Sequence, residues 1–300
     1  MSATTVSSIE KCPLKLGPEH IASYQTNGFL AFSDFLTPEE VAALNNAMAE
    51  MVSTLYAKSK SGALPVKRGN WANMRNYSGL KIDDSNGKLS LLLEPDVAFD
   101  PQTSTLEQLD HSYRKIGYPT HGHAAFKALS EHPRLIGMLE ALMGPAPILY
   151  GDMALCKPAR IGAPKPWHQD AAYFDYLPFE AGVDVWIALD DAAVENGCMY
   201  VLPGGHAKGP KRHIHRDDCT VQEDRFDFSQ GVPVEMNAGG ILMFSVMLPH
   251  FTPPNYSAQR RRAVQFFYRA SHTRLVSAEE HQRAFVEADG TPAACSSVKG

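Results

Sequence analysis

A sandwich or barrel of short β-strands with helices packed along one side is what the order of elements in this 300-residue chain implies. Helix signals dominate the first sixty residues and return at about 123–143. From about 146 onward the texture changes to short apolar runs bounded by Gly, Pro, Asn or Asp. No internal repeat or low-complexity tail is present, so a single domain over 1–300 is expected, helical at about 17–145 and stranded at about 146–272.

The elements follow in order. "GPEHIASYQTNG" is a short amphipathic helix that stops at Asn27-Gly28, and "FLAF" is a short strand. "TPEEVAALNNAMAEMVSTLYAK" carries three start cues: Thr37 as N-cap, Pro38 at the first helical position, and Glu40 closing a capping box. Its apolar stripe is Val41, Leu44, Met48, Met51 and Leu55. Residues 58–112 have no clear period and read as loops with small, undetected strands, a region suited to covering a site. "HAAFKALSEHPRLIGMLEALM" is a helix broken near His132-Pro133 and ended by Gly144-Pro145. The strands are "PILYGDMALCKP", "VDVWIALDD", "CMYVLPG", "GGILMFSVML" and "RRAVQFFYRAS", with a hairpin expected at Asn196-Gly197.

Composition narrows the function. A net charge of −5 argues against a dedicated nucleic-acid binder, although Lys208-Lys211-Arg212 and Arg260-Arg261-Arg262 form local basic clusters that suit a small anion. Five cysteines without a CxxC pair signal neither a disulfide framework nor a thiolate zinc site, and reduced thiols are expected. The opening residues lack the apolar core of a signal peptide, and no apolar run reaches the ~20 residues of a membrane span. The expectation is a soluble, cytoplasmic protein with no nucleic-acid or membrane partner.

One stretch, "KPWHQDAAYFDY", sets His168 and Asp170 either side of a single residue. Alone this is weak, because 12 histidines and 33 acids produce such spacings by chance. On a strand, however, both side chains point to one face and can grip one ion. His250, at the end of an apolar strand pattern, is the candidate third ligand. Two imidazoles and one carboxylate with open positions suit a non-haem Fe(II) oxygenase, whereas structural zinc prefers four protein ligands. Arg261 starts the next strand, and a buried guanidinium opposite such a metal suggests an anion clamped bidentately. A co-substrate that chelates Fe(II) and presents a distal carboxylate is 2-oxoglutarate.

The segments "KIGYPTHGHAAFK", "WHQDAAYF", "VWIALDDAAVENGCMYVLPGGH" and "PHFTPPNYSAQRRRA" occur in the order found in a known family. With "YQTNGFLAFSDFLTPEE" they cover most of the chain, which resembles the phytanoyl-CoA dioxygenase-like Fe(II)/2-oxoglutarate oxygenases. The resemblance implies an α+β, mainly β fold: a double-stranded β-helix (jelly-roll, cupin-like) core with an N-terminal helical layer. It implies His168, Asp170 and His250 as iron ligands and Arg261 as the partner of the distal carboxylate. Lys115, Met153, Trp186 and Thr252 match positions that line the 2-oxoglutarate pocket. Fe(II), 2-oxoglutarate and O2 would together hydroxylate a C–H bond of a small molecule, with release of succinate and CO2. Asp170 stands where the family's halogenases carry a small residue, so halogenation is not implied. Phe251 stands where relatives often have glycine or another small or polar residue. Two other readings are a cupin-like metalloenzyme without 2-oxoglutarate, against which Arg261, Thr252 and Asn255 argue, and a non-catalytic small-molecule scaffold.

Tyr173, Phe174, Tyr176 and His121 are candidate substrate contacts. The blander readings are core packing for the aromatics and helix capping for His121 and His123. His213 and His215 read as part of a solvated loop, His206 as a turn residue, and Cys156 and Cys198 as buried small hydrophobes.

Overall fold

Alternation of side chains along two facing sheets organises the β region. The computed structural model describes residues 9–68, 80–83, 89–215 and 218–295. Eight strands build the core: β1 (Ile148–Lys157), β2 (Lys165–His168), β3 (Gly182–Ala188), β4 (Met199–Val201), β5 (Val232–Val234), β6 (Ile241–Ser245), β7 (His250–Thr252) and β8 (Arg261–Arg269). They pair as β6-β3-β8-β1 in one sheet and β5-β4-β7-β2 in the other, the two layers of a jelly roll. This is the expected double-stranded β-helix.

The larger sheet is covered on both faces, which explains its nearly continuous apolar strands. On β3, Val183, Val185 and Ile187 face the helices, while Trp186 and Ala188 face the second sheet. On β8, Val264, Phe266 and Tyr268 join the helical side, while Ala263 joins the core between the sheets. The helical layer consists of α1 (Pro18–Asn27), α2 (Pro38–Lys60), α3 (Ala124–Ser130) and α4 (Pro133–Met143). A further helix, α5 (Ala278–Ala284), follows the last core strand.

The helix signals hold at residue level. Thr37 Oγ1 accepts from the Glu40 N–H at 3.3 Å, and Glu40 accepts from the Thr37 N–H at 2.8 Å. The whole expected stripe of α2, Val41 to Leu55, is buried. α1 ends at Gly28, whose φ of 84° lies in the left-handed region and whose N–H returns to the Tyr24 carbonyl. The break before Pro133 is real, with His132 capping α4.

The N-terminal part carries the expected "FLAF" strand and small strands of residues 58–112, together with Tyr113–Gly117, which the sequence reading did not single out. Phe29–Ser33 pairs with β6, and Tyr113–Gly117, Ser90–Leu93, Leu80–Asp83 and Val66–Arg68 extend the sheet beyond β1. The last three of these are strands of the region without a period. Within that region, residues 69–79 and 84–88 lie outside the described residues.

Two expectations fail. Asn196-Gly197 does not close a hairpin: β3 pairs with β6 and β8, whereas β4 pairs with β5 and β7. The turn carries the chain from one sheet to the other. Gly197 has the positive φ the sequence asks for, 85°, and a Cβ there would come within 2.7 Å of the Pro253 carbonyl oxygen. Secondly, the thiols are not all reduced: Cys219 and Cys295 form a disulfide across 76 residues of sequence, while Cys12, Cys156 and Cys198 are free and buried. The pairing is made by tertiary packing of the C-terminal segment, which no local Cys spacing announces.

The packing sets expected stabilities. Leu55, on the inner face of α2, is fully buried. Leu55→Ala should lower the urea unfolding free energy by about 2–5 kcal/mol, and Thr37→Ala, which removes only the cap, by ~1 kcal/mol.

Candidate metal and co-substrate site

β2 and β7 lie antiparallel with His168 directly opposite His250. β2 ends at His168, and Gln169 stays extended (φ −113°, ψ 126°) before a 3-10 turn begins at Asp170. The alternation expected of a strand thus survives for one residue beyond its end, and His168 and Asp170 share a face. Asp170 Oδ1 lies 3.2 Å from His168 Nε2, and its Oδ2 lies 3.7 Å from His250 Nε2. One ligand atom from each residue fits within 4.8 Å of the others, and all three residues are buried.

The tautomers are set for metal binding. His168 Nδ1–H donates to the Pro166 carbonyl at 2.8 Å, and His250 Nδ1–H to the Leu248 carbonyl at 2.9 Å. Both Nε2 lone pairs therefore point inward, the usual outer-partner arrangement of metal-binding histidines. Burial pushes His250 down to about 3, keeping it neutral. Burial also pushes the Asp170 carboxyl up, but His250 and His168 outweigh that and hold it below the ordinary carboxylate range. Gln265 on β8 donates to Asp170 Oδ2 at 3.2 Å. Asp184, buried on β3, is pushed well above the ordinary range by burial and by the Asp170 charge.

The triad opens into a cavity of about 370 Å³ between the sheets. Lys115, Met153, Trp186, Thr252 and Arg261 all line it. The arginine triplet separates cleanly. Arg260 pairs with Asp110 at 2.6 Å, and Arg262 makes a two-pronged pair with Asp190 at 2.8 and 2.6 Å. Arg261 alone of the three enters the cavity, 2% exposed, with its guanidinium 5.2 Å from the centre of the Trp186 ring. Its Nε and one terminal nitrogen, and the Trp186 Nε1–H, have no hydrogen-bond partner among the described residues. Burial alone pulls Arg261 down, to about 10. A buried cation with unmade hydrogen bonds is costly unless an anion completes it, so the donor set fits a carboxylate at one end of the cavity and a metal at the other.

The aromatic candidates divide. Tyr173 and Phe174 line the cavity. Tyr176 is fully buried beside it, 5.2 Å from Tyr150 and 5.8 Å from Phe174 by ring centres, and belongs to the core. His121 is exposed near Tyr118 and does not reach the cavity, while His123 caps α3. Phe251 points out of the smaller sheet, between Trp167 and Tyr200, so its bulk does not narrow the pocket. Leu92 and Glu94 line the cavity from the region without a period.

Sequence reasoning missed several residues. Lys165 donates to Tyr173 Oη at 3.0 Å and pairs with Asp218 at 2.8 Å, making a charged wall beside the triad. Gln265 shares a face with Arg261 by the same alternation, a signal that was present in the sequence. His213 is buried rather than solvated. Its Nδ1–H donates to the Lys211 carbonyl at 2.7 Å, and its Nε2 accepts from the Gln169 N–H at 3.0 Å, between two triad residues. His206 is structural, donating to the Gln25 carbonyl at 3.1 Å.

A jelly roll with a facial His-Asp-His group and a buried unpaired arginine defines a class, the non-haem metal oxygenases with an anionic co-substrate. The phytanoyl-CoA dioxygenase (PhyH) family model matches residues 24–263. The chain belongs to this family, and with it to the 2-oxoglutarate-dependent non-haem iron dioxygenases. It is 25% identical to phytanoyl-CoA dioxygenase domain-containing protein 1 of Rattus norvegicus, over 84% of this chain and 89% of that one. Phytanoyl-CoA dioxygenase 1 of Oryza sativa subsp. japonica is 27% identical, with 83% and 87% covered. Among solved structures, EvdO2 from Micromonospora carbonacea var. aurantiaca complexed with 2-oxoglutarate aligns with a TM-score of 0.59 at 23% identity, covering 88% of this chain and 94% of that one. EctD from S. alaskensis aligns at 0.62 and 17%, covering 98% and 91%. At these identities the structures share the fold.

His213 gives the site a pH signature. Burial and the neighbouring His168 push it down to about 3, whereas an unfolded imidazole titrates near 6.5. Between those values the unfolded chain takes up a proton that the folded chain refuses, so stability falls as pH drops below about 6.5. Urea denaturation at pH 7.5 and pH 5 should show His213→Gln losing roughly 1–2 kcal/mol less than the wild type across that interval.

Proposed function

We propose that this enzyme oxidises, by hydroxylation, an unactivated C–H bond of a small organic substrate, releasing succinate and CO2. His168, Asp170 and His250 would hold the iron, and Arg261 the distal carboxylate of 2-oxoglutarate. The observation that carries this reading is the Arg261 guanidinium, buried over Trp186 with hydrogen-bonding groups unpaired, in the same cavity as the triad. Bound Fe(II) with 2-oxoglutarate and O2 supplies the oxidising power for the C–H bond.

The chain's own part is orientation and exclusion of water. Neutral His250 and ionised Asp170 present their lone pairs without first losing a proton. Gln265 holds one Asp170 oxygen, which limits rotation of the carboxylate. Thr252 and Lys115 supply further polar groups for the co-substrate. Tyr173, Phe174 and Phe267 give the substrate an apolar seat, with Lys165 and Asp218 as a polar edge to orient it. A cavity of about 370 Å³ is near the small end of ligand pockets and supports a compact substrate.

Anaerobic addition of Fe(II) and 2-oxoglutarate should produce the weak visible charge-transfer band of such a complex. His168→Ala should abolish it. Arg261→Ala should weaken 2-oxoglutarate binding by roughly 30-fold or more, the loss of about 2 kcal/mol or more that follows truncation of a buried charged partner. A band that survives in both variants refutes the assignment, and an active enzyme that forms no succinate refutes the reaction.

A further inference from the structure

The loop carrying Asp170 is held from the core by the Ala171 N–H, which donates to the Val246 carbonyl at 2.9 Å, and from the other side by chain that lies beyond the family match, which ends at residue 263. Arg274–Leu275 pairs antiparallel with Tyr176–Leu177, and the Val276 N–H donates to the Asp175 carbonyl at 2.9 Å. On α5, buried His281 donates its Nε2–H to the Ala171 carbonyl at 2.9 Å, one residue past Asp170. Its ring stacks on Phe285, which is wholly buried and also meets Phe179 edge-on. On the other side of Asp170, the Gln169 N–H is held by His213. His213 is itself tied to the C-terminal segment, because its backbone N–H donates to the Ala293 carbonyl at 3.0 Å. Two residues on, Cys295 is bonded to Cys219, on the strand paired with His213–His215.

We propose that residues 274–295, with the paired strands His213–His215 and Cys219–Val221 they are tied to, form a clamp on the ligand-bearing loop. In it His281 and His213 are positioning residues for Asp170, and the Cys219–Cys295 disulfide is the latch. The inference rests on the iron assignment above. Its physical basis is that partners of the backbone flanking a ligand fix where the ligand's oxygen sits, and loss of such outer partners typically weakens metal binding by about 10–100-fold. The side chain of Gln169 cannot substitute for the clamp. It is already committed to the Gly209 and Met247 carbonyls and the Lys211 N–H.

The test is Fe(II) affinity of the full chain, measured anaerobically by competition with a chromogenic chelator, alongside circular dichroism to establish folding. His281→Ala should bind Fe(II) about tenfold more weakly than the wild type. His281→Gln, whose amide N–H can still reach the carbonyl, should recover most of that loss. Cys295→Ser should weaken binding by roughly threefold, a partial version of the same loss. Wild type reduced with a tertiary phosphine and then desalted should match Cys295→Ser. In that reduction the S–S bond breaks, each sulfur gains a proton, and the phosphine is oxidised to its oxide with the oxygen of water. The same treatment should leave Cys295→Ser unchanged.

Unaltered affinity in folded His281→Ala and in Cys295→Ser overturns the clamp, as does a His281→Gln variant no better than His281→Ala. If His281→Ala does not fold, Cys295→Ser and the reduced wild type decide the matter. A wild type that binds no Fe(II) overturns the iron assignment and the clamp with it. Normal wild-type binding with unaffected variants overturns the clamp alone.

Discussion

Register between β2 and β7 is the constraint on which the site depends. His168 stands opposite His250 only because these two short strands pair in one way. A slip of one residue would turn every side chain of a strand to the other face. Trp167 or Phe251, now outside the smaller sheet, would then turn into the cavity, and the imidazole of that strand would face away from it. The aromatic contacts on the outer face therefore protect the geometry of the triad on the inner one. Trp167 lies between Phe228 at 4.9 Å and Phe251 at 4.6 Å, so either neighbouring register would disrupt an established stack.

The second organising fact is how buried charge is distributed. Arg260 and Arg262 are neutralised by Asp110 and Asp190 on the outer side of β8, leaving the inward Arg261 without a carboxylate. At the other end of the cavity the carboxylate of Asp170 sits among two imidazoles and Gln265. The fold thus tolerates an incomplete cation and a crowded anion in one buried cavity. That arrangement costs stability in the chain by itself, and the proposed metal and dianion would offset the cost. Local rules are expected to fail at functional sites, and these are the places where they fail here.

Much of this was legible in order along the chain. Capping at Thr37, the stripe on α2, the stop at Gly28 and the break at Pro133 are local signals, decided within a turn or two of helix, and each appears in the structure. The triad and Arg261 were legible because strand alternation and family-ordered motifs agree on them. Where sequence reasoning failed, the deciding partner was distant. His213 looked solvated among charged neighbours, yet its ring is buried against Gln169, 44 residues earlier. Asn196-Gly197 has the chemistry of a hairpin turn, but which strands pair is settled by the two sheets together. Cys219 and Cys295 carry no local motif at all.

The amino-acid order alone was enough to set element types, the inward faces of the strands and the ligand chemistry, since period, capping and side-chain donors are properties of neighbouring residues. Which tyrosines line the cavity, what pairs with Arg260 and Arg262, and what holds Asp170 in place were decided only in three dimensions. Burial and hydrogen-bond satisfaction depend on residues far apart in the chain, and their free energy exists only once the sheets, the helical layer and the C-terminal segment have closed on one another.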